Sequence, residues 1–421
     1  MRLITEKPSE KEIYIWNILG SFANAGLSVI ILLVVTRTLD NQKADIFSIA
    51  WAISQLMATI GCYQIRVLQA TDVDEKFTFR QYFEFRIVTI VAMMICSCAY
   101  VYIKHYTVYK AIIIIIICGY RAVDSLADVF EGWFQQKERL DLAGRALFIR
   151  VVIAIVGGGI CLVVMHDLLA LSLMLLFIYV VGLLLYDIRY YNKLKVLEKQ
   201  KENQNNKWLQ GLLVAGTPLF VNAYLLMDIM NTPKIVIDAV IMNGGLQNGS
   251  QTIFNILFMP ASVLTLAYIV FRPLLTKMAI EWTMGRIKNF LKIIGSIMCC
   301  LLGMSILIIG GSALLGIPVL SVLYAMDLTM YKKELLLIIL GGCFCTFSYV
   351  LDNALVVIRR QYLLVCAYVV SWAYVKIFAH TFVGKWGIMG AAIVYTTSML
   401  LFLATTLLIF IICLKKEKNH E

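Results

Sequence analysis

Proline is scarce in this 421-residue chain, with six in all, and histidine is scarcer, with four. Charged residues make up only 15% of the sequence, against about 25% in a soluble domain, which excludes an ordinary water-soluble globule. The histidines (His105, His166, His380 and His420) are scattered, and none stands at metal-ligand spacing from a second ligand. No metal centre is therefore expected. The eleven cysteines form no CxxC pair; Cys96/Cys98 and Cys343/Cys345 are each one residue apart. All lie in or beside apolar runs, where cysteine acts as a small lipid-compatible side chain. A GxxxxGK[ST] phosphate loop is missing, so the chain itself does not hydrolyse ATP. No outer connection is long enough for an extramembrane catalytic domain, and nothing points to an enzyme or to a bound cofactor. The pair Asp72-Val73-Asp74 resembles a divalent-ion pattern, but with Glu75 and Lys76 beside it it reads as a solvated loop.

What the chain has in quantity is apolar sequence: 61% of its residues. That balance is the mark of an all-α polytopic membrane protein with short loops. Twelve segments are long enough to cross roughly 30 Å of hydrocarbon. They lie at 13–36, 45–69, 82–103, 109–134, 146–165, 168–190, 208–230, 249–272, 290–314, 333–358, 362–383 and 387–413. The first follows a polar N-terminal stretch and is too long for a signal-peptide core, so it is read as a retained span.

The formal charge of +11 would suggest nucleic acid in a soluble protein, but its placement suggests a membrane face. With the N-terminus inside, 27 of the 37 Lys and Arg fall on the inner side and nine on the outer, Arg121 standing apart. Both termini are thus expected in the cytoplasm. The longest polar connection, Tyr191 to Lys207, is rich in Lys, Asn and Gln. It divides the chain into an N-terminal six-helix bundle (1–190), a basic cytoplasmic linker (191–207) and a C-terminal six-helix bundle (208–421). Equal halves suggest a duplicated transporter architecture. The segment 276–290 mixes apolar and basic residues at helical spacing, fitting either an interfacial helix or a plain loop.

The fourth span is unusual. Arg121 lies eleven residues from Lys110, roughly 16 Å along a helix and near the midplane. An arginine there costs about 2.5–3.5 kcal/mol even on lenient insertion scales. Asp124, Asp128 and Glu131 follow at offsets of three, seven and ten, all on one helical face. Two readings stand: a structural ion pair locking helices together, or the wet lining of a cavity for an anionic substrate. Asn24 and Asn222, near the middles of spans one and seven, are weaker cavity candidates, since intramembrane Asn more often bonds a neighbouring helix. Lys376, in the outer third of span eleven, either snorkels or faces the cavity. Asp128, Asp228 and Asp352 are candidates for ion coupling. Pro218 and Pro260 interrupt backbone bonding in spans seven and eight and are candidate bends for gating. Arg66, Arg86 and Arg272 read as topology anchors at cytoplasmic ends.

Four runs carry a family resemblance: SLADVFEGWFQQKERLDLAGRALFIR (Ser125 to Arg150), GTPLFVNAYLLMDIMNTPKIVID (Gly216 to Asp238), FNILFMP (Phe254 to Pro260) and FRPLL (Phe271 to Leu275). In order and in span position they resemble bacterial Wzx-type polysaccharide flippases of the multidrug/oligosaccharidyl-lipid/polysaccharide (MOP) exporter superfamily. The resemblance implies a V-shaped pair of six-helix bundles, MATE-like, around a central polar cavity. It also implies movement of an undecaprenyl-diphosphate-linked oligosaccharide between leaflets of the bacterial cytoplasmic membrane, with a polymerase and glycosyltransferases as partners. Moving a diphosphate through hydrocarbon costs tens of kcal/mol by a Born estimate, and Arg121, oriented by Asp124, would meet it. With no ATP site, an ion gradient would drive alternating access. Lipid II flippases of the superfamily carry extra terminal spans and arginines deep in the first helix. This chain offers Asn24 and Ser28 there, which argues against lipid II as substrate. A MATE-like multidrug or metabolite antiporter is the alternative within the fold. A membrane glycosyltransferase or glycan polymerase is the alternative of another class.

Overall fold

The computed structural model describes residues 8–72, 75–196, 207–268 and 271–418. Asp74 of the acidic pair, most of the 191–207 linker and His420 lie outside them. The described residues form helices joined by short turns, with no strand among them. They fall into two compact units, Met1–Tyr224 and Leu225–Glu421.

In the first unit, α1 (Glu10–Thr38) starts at a capping box between Ser9 and Glu12 and ends beside Arg37. This arrangement satisfies free amides at one end and complements the helix dipole at the other. α2 (Asn41–Cys62) is capped by Asp40, whose carboxylate accepts from the Lys43 amide at 2.8 Å. The continuous span expected at 45–69 does not form. Tyr63 and Gln64 take left-handed backbone angles (φ 45° and 52°), and the chain restarts as a short helix, α3 (Ile65–Thr71). Such angles cost a non-glycine residue roughly 1–2 kcal/mol, so packing must hold them. Tyr63 stacks on Phe220 at 4.5 Å and its hydroxyl lies 2.9 Å from Thr217.

α4 (Phe79–Ile103) opens at a second capping box, Thr78 with Gln81. α5 (Val108–Gln136) is the span bearing Arg121, and α6 (Leu140–Met165) packs along α1, with Trp16 against Phe148 at 5.9 Å. α7 (Leu168–Gly182) passes through a π-helical turn, Leu183–Ile188, into α8 (Arg189–Lys195). Phe79, Phe130, Trp133 and Tyr191 interlock where α4, α5 and α8 meet, the closest rings being Phe79 and Tyr191 at 4.2 Å.

α9 (Trp208–Met242) outruns the expected 208–230 span. The division between units falls inside it, and its first turns pack with the first unit, where Leu212 is buried with Ile65, Tyr82, Phe85 and Val129. The second unit continues with α10 (Ser250–Tyr268), α11 (Arg272–Thr283) and α12 (Ile287–Gly311). A π turn at Ser312–Gly316 leads into α13 (Ile317–Tyr324), followed by α14 (Lys332–Val357) and α15 (Leu364–Lys418). The basic segment at 276–290 is thus the end of α11 and the first residues of α12, with a short turn between Thr283 and Ile287. The spans expected at 362–383 and 387–413 are the two arms of α15. They reverse at Gly387 (φ 55°, ψ −129°), a conformation open in practice only to glycine. Tyr368 and Phe402, one on each arm, lie 4.7 Å apart.

Among the described residues, nine helices are long and apolar enough to cross a membrane. α5 is long enough too, but carries Lys110, Arg121, Asp124, Asp128 and Glu131.

Candidate functional site

The acidic face of α5 is where the first unit concentrates its buried charge. Its partners arrive from three other segments and from α5 itself. From α3, Arg66 Nη1 donates to Asp128 at 3.0 Å and to Glu131 at 2.8 Å. From α4, Arg86 donates to Asp128 at 2.8 Å and to the carbonyl of Gly61 at 2.7 Å. From α6, Arg150 donates to Glu131 at 2.9 Å and to Asp187 at 2.7 Å, and its Nη2 also lies 3.6 Å from Asp124. Arg121 donates to Asp124 at 3.4 Å within α5 itself. Four guanidinium groups therefore face four carboxylates, and the cluster is neutral as a whole.

Local structure explains how these groups meet. The break after α2 leaves carbonyls without helical partners; that of Gly61 is taken by Arg86 and by the Thr89 hydroxyl at 2.8 Å. The π turn in the α7–α8 run places Asp187 against Arg150, a use of the extra residue typical of such turns. The Arg150 stem crosses Gly182, where an added Cβ would lie 3.0 Å from its Cγ and Cδ. Arg150 also sits over the Tyr179 ring at 5.1 Å.

The network is not uniformly wet. Arg86, Arg150, Glu131 and Asp187 are closed off, with side-chain exposures of 0–5%. Arg121, Asp124, Asp128 and Arg66 keep between 13% and 29%. Burial makes the pairing obligatory, because removing one partner of a buried pair typically costs 3–5 kcal/mol.

Arg121 differs from the other three arginines. Each of them makes two contacts of 3.0 Å or less, whereas Arg121 has one long bond. Its guanidinium lies 4.8 Å from the Trp51 ring and 5.0 Å from the Tyr120 ring, beside two rings that stack on each other at 5.8 Å. A guanidinium has five donors in a fixed fork, so most of its donor capacity is unspent.

The remaining candidates sort by place. Asn24 is exposed on α1, and Asn222 is half-buried on α9 with an unpartnered Oδ1. Pro218 and Pro260 lie inside continuous helical runs. In the second unit, Asp228 accepts from Trp372 Nε1 at 2.6 Å and lies 2.7 Å from Lys376 Nζ, while the Thr232 hydroxyl donates to it at 3.2 Å. The cavity candidate Lys376 and the coupling candidate Asp228 are therefore one ion pair. Asp352 accepts from the Tyr368 hydroxyl at 3.2 Å.

Sequence reasoning missed Asp187 altogether and gave Arg150 no role of its own. Arg66 and Arg86 were read as anchors but belong to the network, Arg86 with no exposure at all. Depth was the available signal for Arg150, which stands well inside α6. Nothing in the sequence announces the π turn that aims Asp187.

The architecture defines a class: an all-α, multi-pass membrane protein with the fold of the MOP exporters. No family model matches the chain, and no curated protein matches its sequence. Among solved structures, it is similar to the lipid II flippase MurJ in an inward closed conformation. That likeness has a TM-score of 0.70 and 15% identity, covering 94% of this chain and 87% of that one. It is also similar to a multidrug resistance MATE family transporter of the MOP superfamily in its inward-facing conformation (TM-score 0.62, 11% identity, 98% and 97% covered). A third is a MOP superfamily transporter from Pyrococcus furiosus described as having a binding pocket of reverse polarity (TM-score 0.60, 12% identity, 99% and 97% covered). At these identities the likeness establishes the fold.

Proposed function

We propose that this protein is a flippase that carries a polyprenyl-diphosphate-linked oligosaccharide repeat unit across the bacterial cytoplasmic membrane for polysaccharide assembly. It is read as a Wzx-type member of the superfamily, with both termini inside and a glycan polymerase and glycosyltransferases as partners. An ion gradient drives alternating access between its two helical halves. The observation that carries the reading is Arg121: a guanidinium midway along α5, 4.8 Å from Trp51 and 5.0 Å from Tyr120, with one 3.4 Å bond and spare donors. Such a group suits a phosphate, which takes paired charge-assisted bonds from arginine. Asp124 keeps it oriented when no anion is bound. Fold likeness to a lipid-linked flippase supports a lipid-linked cargo, and the shared MATE likeness keeps a drug antiporter as the rival.

The test is export in cells lacking the endogenous protein, followed by surface polysaccharide and by accumulation of the lipid-linked repeat unit. Arg121→Ala should cut export by about 10- to 100-fold, the worth of one or two charge-assisted bonds. Membrane levels of the variant should match wild type. Arg121→Lys, which keeps the charge but loses the fork, should fall between. Normal export by Arg121→Ala would refute the assignment. Transport of cationic drugs without glycan export would favour the antiporter.

A further inference from the structure

We propose that Trp372 and Lys376, one turn apart on the first arm of α15, form a binding surface for a sugar ring, with Asp228 as the residue that positions both. The inference rests on the proposed transport function and concerns the part of the cargo that Arg121 does not address.

Lys376 stands midway along its arm, between Leu364 and the reversal at Gly387, roughly 16–18 Å from either end. From there a lysine stem is too short to bring its ammonium to a headgroup region, yet the side chain is 41% exposed. An ammonium held at that depth against acyl chains is costly, so this side of the arm faces polar surroundings rather than lipid. Its charge is already matched. Nζ lies 2.7 Å from Asp228 Oδ2 and donates to Oδ1 at 3.0 Å and to the Thr232 hydroxyl at 3.2 Å. The Asp228 side chain is itself closed off, at 5% exposure. The pair therefore presents a polarised N–H without net charge, which suits a hydroxyl or ring oxygen better than a phosphate. Arg121, with its single 3.4 Å bond, is the opposite case.

Trp372 supplies the second element. Its Nε1 donates to Asp228 Oδ2 at 2.6 Å, which fixes the edge of the indole, and Lys376 Nζ lies 5.9 Å from the ring centroid. The indole is half-buried, and no other aromatic ring among the described residues stacks on it. A pyranose needs this combination: an aromatic face for the C–H side of its ring and a donor beside it for a hydroxyl. Sites for small polar ligands join an aromatic surface to a few placed polar groups in the same way. One buried carboxylate accepts from both the indole and the ammonium, so it holds them in a single geometry. Asp228 touches no cargo and is a positioning residue.

Purified full-length protein in lipid nanodiscs is titrated with two probes, a bare polyprenyl diphosphate and a polyprenyl diphosphate carrying one N-acetylglucosamine. The readout is the ratio of the two affinities. Wild type should bind the sugar-bearing probe at least about tenfold more tightly, the worth of one hydrogen bond to a charged group. Trp372→Leu and Lys376→Met should each bring the ratio close to unity, and Trp372→Phe, which keeps an aromatic face, should fall between. Asp228→Asn leaves the indole and the ammonium present but unpositioned, and should also lower the ratio. Adding Asp228→Asn to Lys376→Met removes the stranded charge and should restore stability without restoring the ratio, whereas a merely structural role predicts that both return. Equal affinity of wild type for the two probes, or an unchanged ratio in Trp372→Leu, would overturn the inference and leave the role of Arg121 standing. No binding of either probe by wild type would sink the transport reading and the inference together.

Discussion

Two arginines on one helix separate the effect of burial from the effect of pairing. Arg80 and Arg86 both belong to α4, and each has a carboxylate oxygen within 2.8 Å: Glu84 for the first, Asp128 for the second. Arg80 keeps 87% of its side-chain exposure and Arg86 keeps none. Arg80→Met removes a surface i,i+4 pair, worth about 0.3–0.5 kcal/mol. Arg86→Met instead strips Asp128 of one of its two cations and leaves the Gly61 carbonyl to Thr89 alone. Breaking a buried pair of this kind costs about 3–5 kcal/mol, because a charge remains without its counter-ion. The gap between the variants is therefore expected to be about tenfold in free energy. Reversible unfolding in mixed detergent micelles, followed by helical circular dichroism, measures both. Adding Asp128→Asn to Arg86→Met should recover part of the loss, since it removes the stranded charge. If Arg86→Met costs no more than Arg80→Met, the network described here does not hold the first unit together.

Two further outcomes belong to the second unit. Lys376→Met leaves the buried Asp228 carboxylate with only Trp372 and Thr232. Because the lysine side chain is 41% exposed, the loss should be only about 1–2 kcal/mol, and Asp228→Asn on top should restore stability in the same unfolding assay. Gly387→Ala places a Cβ on a backbone at φ 55° and ψ −129°. It should destabilise the α15 reversal by about 1–3 kcal/mol, seen as faster proteolysis at that turn; wild-type resistance would show that the turn relaxes freely.

Much of the architecture was legible from composition because lipid leaves few options. Backbone groups in hydrocarbon must be bonded internally, so long apolar runs with short polar breaks dictate helices. Most expected spans match observed helices within a few residues. The exceptions have local causes. The 45–69 span divides because Tyr63 and Gln64 adopt left-handed angles, stabilised by stacking on Phe220 far along the chain. α9 runs on to Met242 past Pro233, where a residue-by-residue reading stops. The legible part of the site was the acidic stripe of α5, because offsets of three, seven and ten share a face on any helix. Its partners were not legible, since Arg66, Arg86 and Arg150 look like ordinary inner-face cations when only their flanking sequence is known.

The amino-acid sequence by itself determined that the chain lives in a membrane, that it is helical, and that α5 carries charge no lipid will accept. Periodicity and hydropathy are properties of single segments, and these conclusions need nothing else. Only the tertiary structure decided which cation each acid of the network meets: that Arg121 has the fewest close contacts of its four guanidinium groups, and that Asp187 meets one cation where the other three acids meet two. Those assignments depend on distances of a few ångströms between five helical segments, where Coulomb attraction and desolvation nearly cancel. A single π turn or helix break changes which pair forms.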